Sequence, residues 1–103
     1  MKRDKDDARV SLAVRKRARF TCERCRRRHE ENSMGLHAAH IFTRSIKATR
    51  HDMANLVCLC YGCHAYFHRN PLEFHEWVRK KMGAEKYDAL SKRAHTLTKK
   101  TGV

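Results

Sequence analysis

At 103 residues the chain has room for one domain with a thin core, because small domains bury a modest share of their surface. Twenty-four Lys and Arg against eleven Asp and Glu leave a formal charge of +13, the footprint of a protein that meets a polyanion such as nucleic acid. The opening Met1-Lys2-Arg3-Asp4-Lys5-Asp6-Asp7 does not read as a signal peptide and no run of the sequence is apolar enough to span a bilayer as a helix, so an intracellular setting is expected.

The pattern predicts a helix over 8–19, capped by Asp7, with Val10, Ala13, Val14 and Ala18 as a partial apolar stripe. Arg15, Arg17 and Arg19 lie on this helix, and half of all Lys and Arg fall within the first 28 residues. These arginines are candidates for contact with nucleic-acid phosphates. Phe20 to Cys25 reads as a turn presenting two thiols, and Arg26 to Met34 as a polar loop. Leu36 to Phe42 predicts a short strand, 45–52 an exposed loop, Leu56 to Leu59 a second strand and Cys63 to His68 a helix. Asn70 as N-cap, Pro71 at the first helical position and Glu73 at the capping-box position start a further helix. It is expected to bury Leu72, Phe74, Trp77 and Val78 and to end at Gly83. A last helix over about 85–95 carries Tyr87, Leu90 and Ala94, and residues 98–103 read as a frayed tail.

Cys22-x-x-Cys25 and Cys60-x-x-Cys63 are two pairs at the spacing that lets each turn offer both sulfurs to one tetrahedral ion. Without secretion, metal ligation is expected over disulfides, and zinc at these four thiols is the expected staple of the small core. Cys58 remains, two residues before Cys60 on a strand, and reads as a small buried hydrophobe.

The histidines form a pattern of their own. His64 and His68 stand at i and i+4 of the predicted helix, on one face, where their ring nitrogens can share a cation. His40 ends a strand where it can face the same site, and a neutral imidazole is suited to taking a proton from water. The block Ala39-His40-Ile41…Asp52-x-x-Asn55-Leu56-Val57…Leu59-Cys60-x-x-Cys63-His64 resembles the HNH endonuclease family. It is most similar to phage-encoded members with extra cysteine pairs, over roughly residues 20–70.

That resemblance implies a small α+β fold: a ββα-metal (HNH) core with a structural zinc site, flanked by N- and C-terminal helices. The whole of 1–103 would be one endonuclease domain, with 8–19 the first helix, 20–70 the zinc knuckle and core, and 71–97 the C-terminal helices. It implies His40 as general base, Asn55 as the residue that ties the loop between the strands, and His64 as a ligand to the catalytic metal. His68 matches an additional metal-binding histidine of some members. The implied cofactors are structural Zn²⁺ and a catalytic divalent cation (Mg²⁺, Mn²⁺, Ni²⁺ or Zn²⁺). The implied partner is DNA, cut to 5′-phosphate and 3′-hydroxyl ends in the cytoplasm of a host cell, by a homodimer or within phage DNA-processing machinery. One departure stands out: the position before the base often holds Asp or His as a metal ligand, and here it is Ala39. His37, on the same strand face, is the first candidate to replace it, and Asp52 the second. Arg44, following the active-site strand, could clamp a phosphate. The alternative is a zinc-stabilised nucleic-acid-binding module without catalysis. A redox or metal-storage protein would leave the charge and the histidine spacing unexplained.

Overall fold

The computed structural model describes residues 5–31 and 33–101, with side chains as far as His95. It is a small α+β fold built on a two-stranded antiparallel sheet. Helix α1 spans Lys5–Arg17, strand β1 Leu36–His40, strand β2 Leu56–Cys60, and helices α2, α3 and α4 span Tyr61–Arg69, Pro71–Met82 and Ala84–Thr101. A single 3₁₀ turn, Met53–Asn55, leads into β2. The strands pair with Leu36 opposite Cys60, Ala38 opposite Cys58 and His40 opposite Leu56.

Side chains alternate between the two faces of a strand, yet Leu56, Val57, Cys58 and Leu59 are all buried. Both faces of β2 are therefore covered, and α1 and α2 both pack on the sheet. Val14 of α1, Leu59 of β2, Val78 of α3 and Leu90 of α4 lie at the centre of the core. Phe67 of α2 stacks on Phe74 of α3 at 4.9 Å and meets Trp77 at 5.3 Å. These rings join the helices to one another.

Several helix boundaries depart from expectation for local physical reasons. Helix α1 begins at Lys5, so Asp7 lies inside its first turn and is not its cap. Asn70 makes no side-chain cap to α3. Only one residue separates α2 from α3, and the Asn70 amide is turned back to donate to the Tyr66 carbonyl at the end of α2. Glu73 accepts from the Tyr66 hydroxyl at 2.7 Å, so no capping box forms. Pro71 does occupy the first turn, and Gly83, at φ 93°, ends α3 as expected. Leu72, expected inside, is 82% exposed. Phe74 and Val78 sit four apart on the buried stripe, and Leu72 is about 200° round the helix from Phe74. Helix α4 runs past the expected end at 95 and through most of the stretch expected to fray; residues 102 and 103 lie outside the described residues.

Candidate metal centre and active site

The two cysteine pairs come together. The first pair sits in a tight turn after α1, where Arg26 takes a left-handed φ of 68° and its N–H reaches back to the Cys22 carbonyl. The second pair spans the end of β2 and the first turn of α2, with Cys60 at the N-cap. The four Sγ atoms of Cys22, Cys25, Cys60 and Cys63 lie within 4.8 Å of one another, and Cys25 and Cys60 are 3.8 Å apart. Ligands at zinc–sulfur distances of about 2.3 Å in a tetrahedron would be separated by roughly 3.8 Å. In each pair the second cysteine's backbone N–H donates to the first one's sulfur at 3.5 Å, and Arg24 donates to Cys63 Sγ.

The donor chemistry also fits a cation. Burial opposes ionisation of Cys22, but the N–H groups aimed at its sulfur outweigh it and bring its pKa to about 7. Burial pushes Cys63 up to about 12 when the cluster has only protons to share. Four sulfurs at this separation could hold a metal ion as thiolates, and zinc suits the all-sulfur set. Cys58 is fully buried, its thiol pushed up to about 12 by that burial, and it stays out of the cluster.

The histidines line a separate cleft of about 950 Å³ that takes in His37, His40, His64, His68 and His75 together with Arg44. His40 closes β1. Its Nε2 lies 3.0 Å from the Arg50 carbonyl oxygen, which can only accept, so Nε2 carries the proton and Nδ1 keeps its lone pair. Burial lowers the His40 pKa, against a smaller opposing effect of the Arg50 carbonyl, and the Arg44 charge adds to the lowering.

Asn55, fully buried, holds the chain between the strands. Its Oδ1 accepts from the Phe42 N–H at 2.8 Å, and its amide donates to the carbonyls of Phe42 and Thr49 at 2.9 and 3.0 Å. The long connection from β1 to β2 is thereby fastened at both ends around one side chain. Arg50, whose carbonyl orients His40, is the next residue after Thr49.

His37 and His64 are brought into direct contact, Nδ1 to Nδ1 at 2.8 Å, with their rings 72° apart. Two nitrogens this close either share one proton or share a cation at bond lengths of about 2.1 Å. Burial, followed by the nearby charges of His37, His68 and His40, lowers the His64 pKa, so the neutral, ligating form is favoured. His68 is on the same cleft but exposed. Among the described residues only the four cysteines bring three or more metal-binding atoms within 4.8 Å of one another. Ala39 is buried.

Other expected site residues have different surroundings. Asp52 caps the 3₁₀ turn, accepting from the Ala54 N–H, and pairs with Arg93 at 3.0 Å, so it stands as a structural carboxylate. Arg17 donates to the carbonyls of Met53 and Leu56 at 2.8 and 2.6 Å, pinning α1 to the start of β2. Arg15 lies along the cleft with its Nε toward the Ser11 carbonyl, and Arg19 is exposed in the turn after α1. Arg44 is ion-paired with Asp7 at 2.5 Å. The sequence pattern offers Asp7 only as a helix cap and gives His51 and His75 no role. Asp7 pairs with Arg50 and His51 as well, while His75 lines the cleft and bonds the Tyr87 hydroxyl at 2.8 Å. Nothing in the local sequence signals these contacts, which join residues far apart in the chain.

No family model, characterised protein or solved structure matches the chain. The likeness to HNH enzymes thus rests on the residues themselves. No helix among the described residues is long and apolar enough to cross a membrane.

Proposed function

We propose that the chain is a metal-dependent DNA endonuclease of the HNH type, with a structural zinc at its four cysteines. The observation that carries this reading is His40: a half-buried imidazole, locked by the Arg50 carbonyl in the tautomer that leaves Nδ1 free, on the same cleft as the His37–His64 pair. In this reading His40 Nδ1 removes a proton from water as the oxygen attacks phosphorus. The bond from phosphorus to the 3′ oxygen breaks, leaving 5′-phosphate and 3′-hydroxyl ends. Asn55 keeps the β1–β2 connection in place, and through it the carbonyl that orients the base. His37 and His64, with His68 at the rim, are the residues that would hold a divalent cation. Such an ion, when bound, offsets charge on the phosphate and on the departing oxygen.

The high positive charge supports DNA as the substrate class, with affinity from phosphate contacts and little intrinsic base specificity. In this reading targeting comes from a second copy or from phage DNA-processing partners. The test is nicking of supercoiled plasmid by purified protein with chelator and with Mg²⁺, Mn²⁺, Ni²⁺ or Zn²⁺. Nicking that requires an added ion is expected. Tight binding without cutting under any ion would favour the second reading, a zinc-stabilised nucleic-acid-binding module, which Ala39 at the usual ligand position supports.

A further inference from the structure

Asp7 stands in the first turn of α1, outside the segment that carries the family resemblance, and its side chain is only 9% exposed. Hydrogen bonds from three side chains of one loop converge on its carboxylate. Oδ1 accepts from Arg50 Nε at 3.0 Å and from His51 Nε2 at 2.8 Å. Oδ2 accepts from an Nη2 of both Arg44 and Arg50. Arg50 therefore grips the carboxylate with two parallel bonds, the strongest geometry open to this pair. Arg44, Arg50 and His51 all belong to the connection between β1 and β2.

A carboxylate on a cleft that is to receive phosphates works against binding unless it has another task. The task is visible in the chain order. Asn55 holds the Thr49 carbonyl from one side, and Asp7 holds the side chains of the next two residues, Arg50 and His51, from the other. Between these two clamps lies the Arg50 carbonyl that accepts from His40 Nε2. We propose that Asp7 is a positioning residue for His40: by fixing Arg50 and His51 from α1, it holds the Arg50 carbonyl in place and so keeps His40 in the Nε2–H tautomer. Helix α1 is then part of the machinery of the cleft as well as a carrier of positive charge.

The inference about tautomer is independent of whether the protein cuts DNA; its kinetic consequence rests on the nuclease reading. Asp7→Asn keeps the size of the side chain and removes its charge, and Asp6→Asn, at the exposed Asp6–Arg9 pair, is the control. The ¹⁵N ring resonances of His40 are expected to report a single Nε2–H form in the wild type and in Asp6→Asn. In Asp7→Asn they are expected to report a mixture of tautomers. In nicking assays Asp7→Asn should lower kcat by roughly 10- to 100-fold, the usual range for removing the partner that orients a reactive histidine. Affinity for duplex DNA should be unchanged or tighter, since a negative charge has left the cleft.

A pure Nε2–H tautomer in Asp7→Asn would overturn the proposal, whatever the activity. Weaker DNA binding with unchanged kcat would overturn it too, by showing that Asp7 shapes a phosphate contact and not the base. If Asp7→Asn fails to fold, judged by zinc content and circular dichroism, Arg50→Gln reads the same tautomer with Asp7 still paired to Arg44 and His51. A mixture there supports the proposal and a single Nε2–H form refutes it. A wild type with the fixed tautomer but no nicking under any ion would refute the nuclease reading and leave this one standing.

Discussion

Asn55 makes three side-chain hydrogen bonds at a fully buried position, and each partner is a backbone group of the β1–β2 connection. Replacing it by Ala leaves the Phe42 N–H and two carbonyls short of a partner at part-buried and buried positions. Buried groups left unmatched cost about 1–3 kcal/mol, so Asn55→Ala should lose about 3 kcal/mol in urea unfolding. A loss below about 1 kcal/mol would mean that this loop does not depend on the side chain. His40 gives a second prediction at this scale. Burial lowers its pKa, so the neutral form that can accept a proton persists below the ordinary histidine value of about 6.5. The rate of nicking should therefore rise with pH and reach half its plateau below about 6.5. A half-maximal point above that value would contradict the assignment of this buried imidazole as the base. The sequence pattern pointed to Asn55 and His40 because their neighbours stand at recognisable spacings. It offered Asp7 only as a helix cap, since its partners are 37 to 44 residues away and only tertiary approach selects them.

Among the elements, the cysteine pairs decide how the two halves of the core are joined. One pair follows α1 and the other bridges β2 and α2. A backbone bond from the Glu23 N–H to the Cys58 carbonyl, and the Glu23 carboxylate on the Cys58 N–H, link the turn of the first pair to β2. Binding of structural zinc contributes on the order of 10 kcal/mol in small domains, comparable to a typical domain's whole stability. A strong chelator at neutral pH should therefore unfold the chain, with loss of helical circular dichroism that added Zn²⁺ restores. Retention of a cooperative melt within a few degrees of the untreated protein would show that the cluster is not the staple. Element types and order were legible because periodicity, Gly83 and Pro71 mark them locally. Exact packing was not: Leu72 is apolar yet lies off the buried stripe, and Asn70 could cap either helix beside it. Composition says that a side chain is apolar or polar, and only the arrangement of neighbours says which face is covered.

At the scale of the whole molecule, the formal charge of +13 is an argument about partners, and the structure divides its arginines by task. Arg17 is committed to two backbone carbonyls, whereas Arg19 stands exposed beyond α1. Each phosphate contact releases counterions, and its loss lowers the salt slope of binding by about one. Arg19→Ala should reduce that slope, while Arg17→Ala should leave it nearly unchanged and instead lower stability by about 1–2 kcal/mol, the scale of hydrogen bonds from a charged donor. Equal effects of both on the slope would show that the division is wrong. Whether this cationic fold cuts DNA with His40 as base is decided by comparing His40→Ala with wild type in ion-dependent plasmid nicking. Zinc content and DNA affinity would be measured on the same samples. Cutting is expected to be abolished in His40→Ala while affinity and zinc content are nearly unchanged. Undiminished cutting by His40→Ala would contradict His40 as the base.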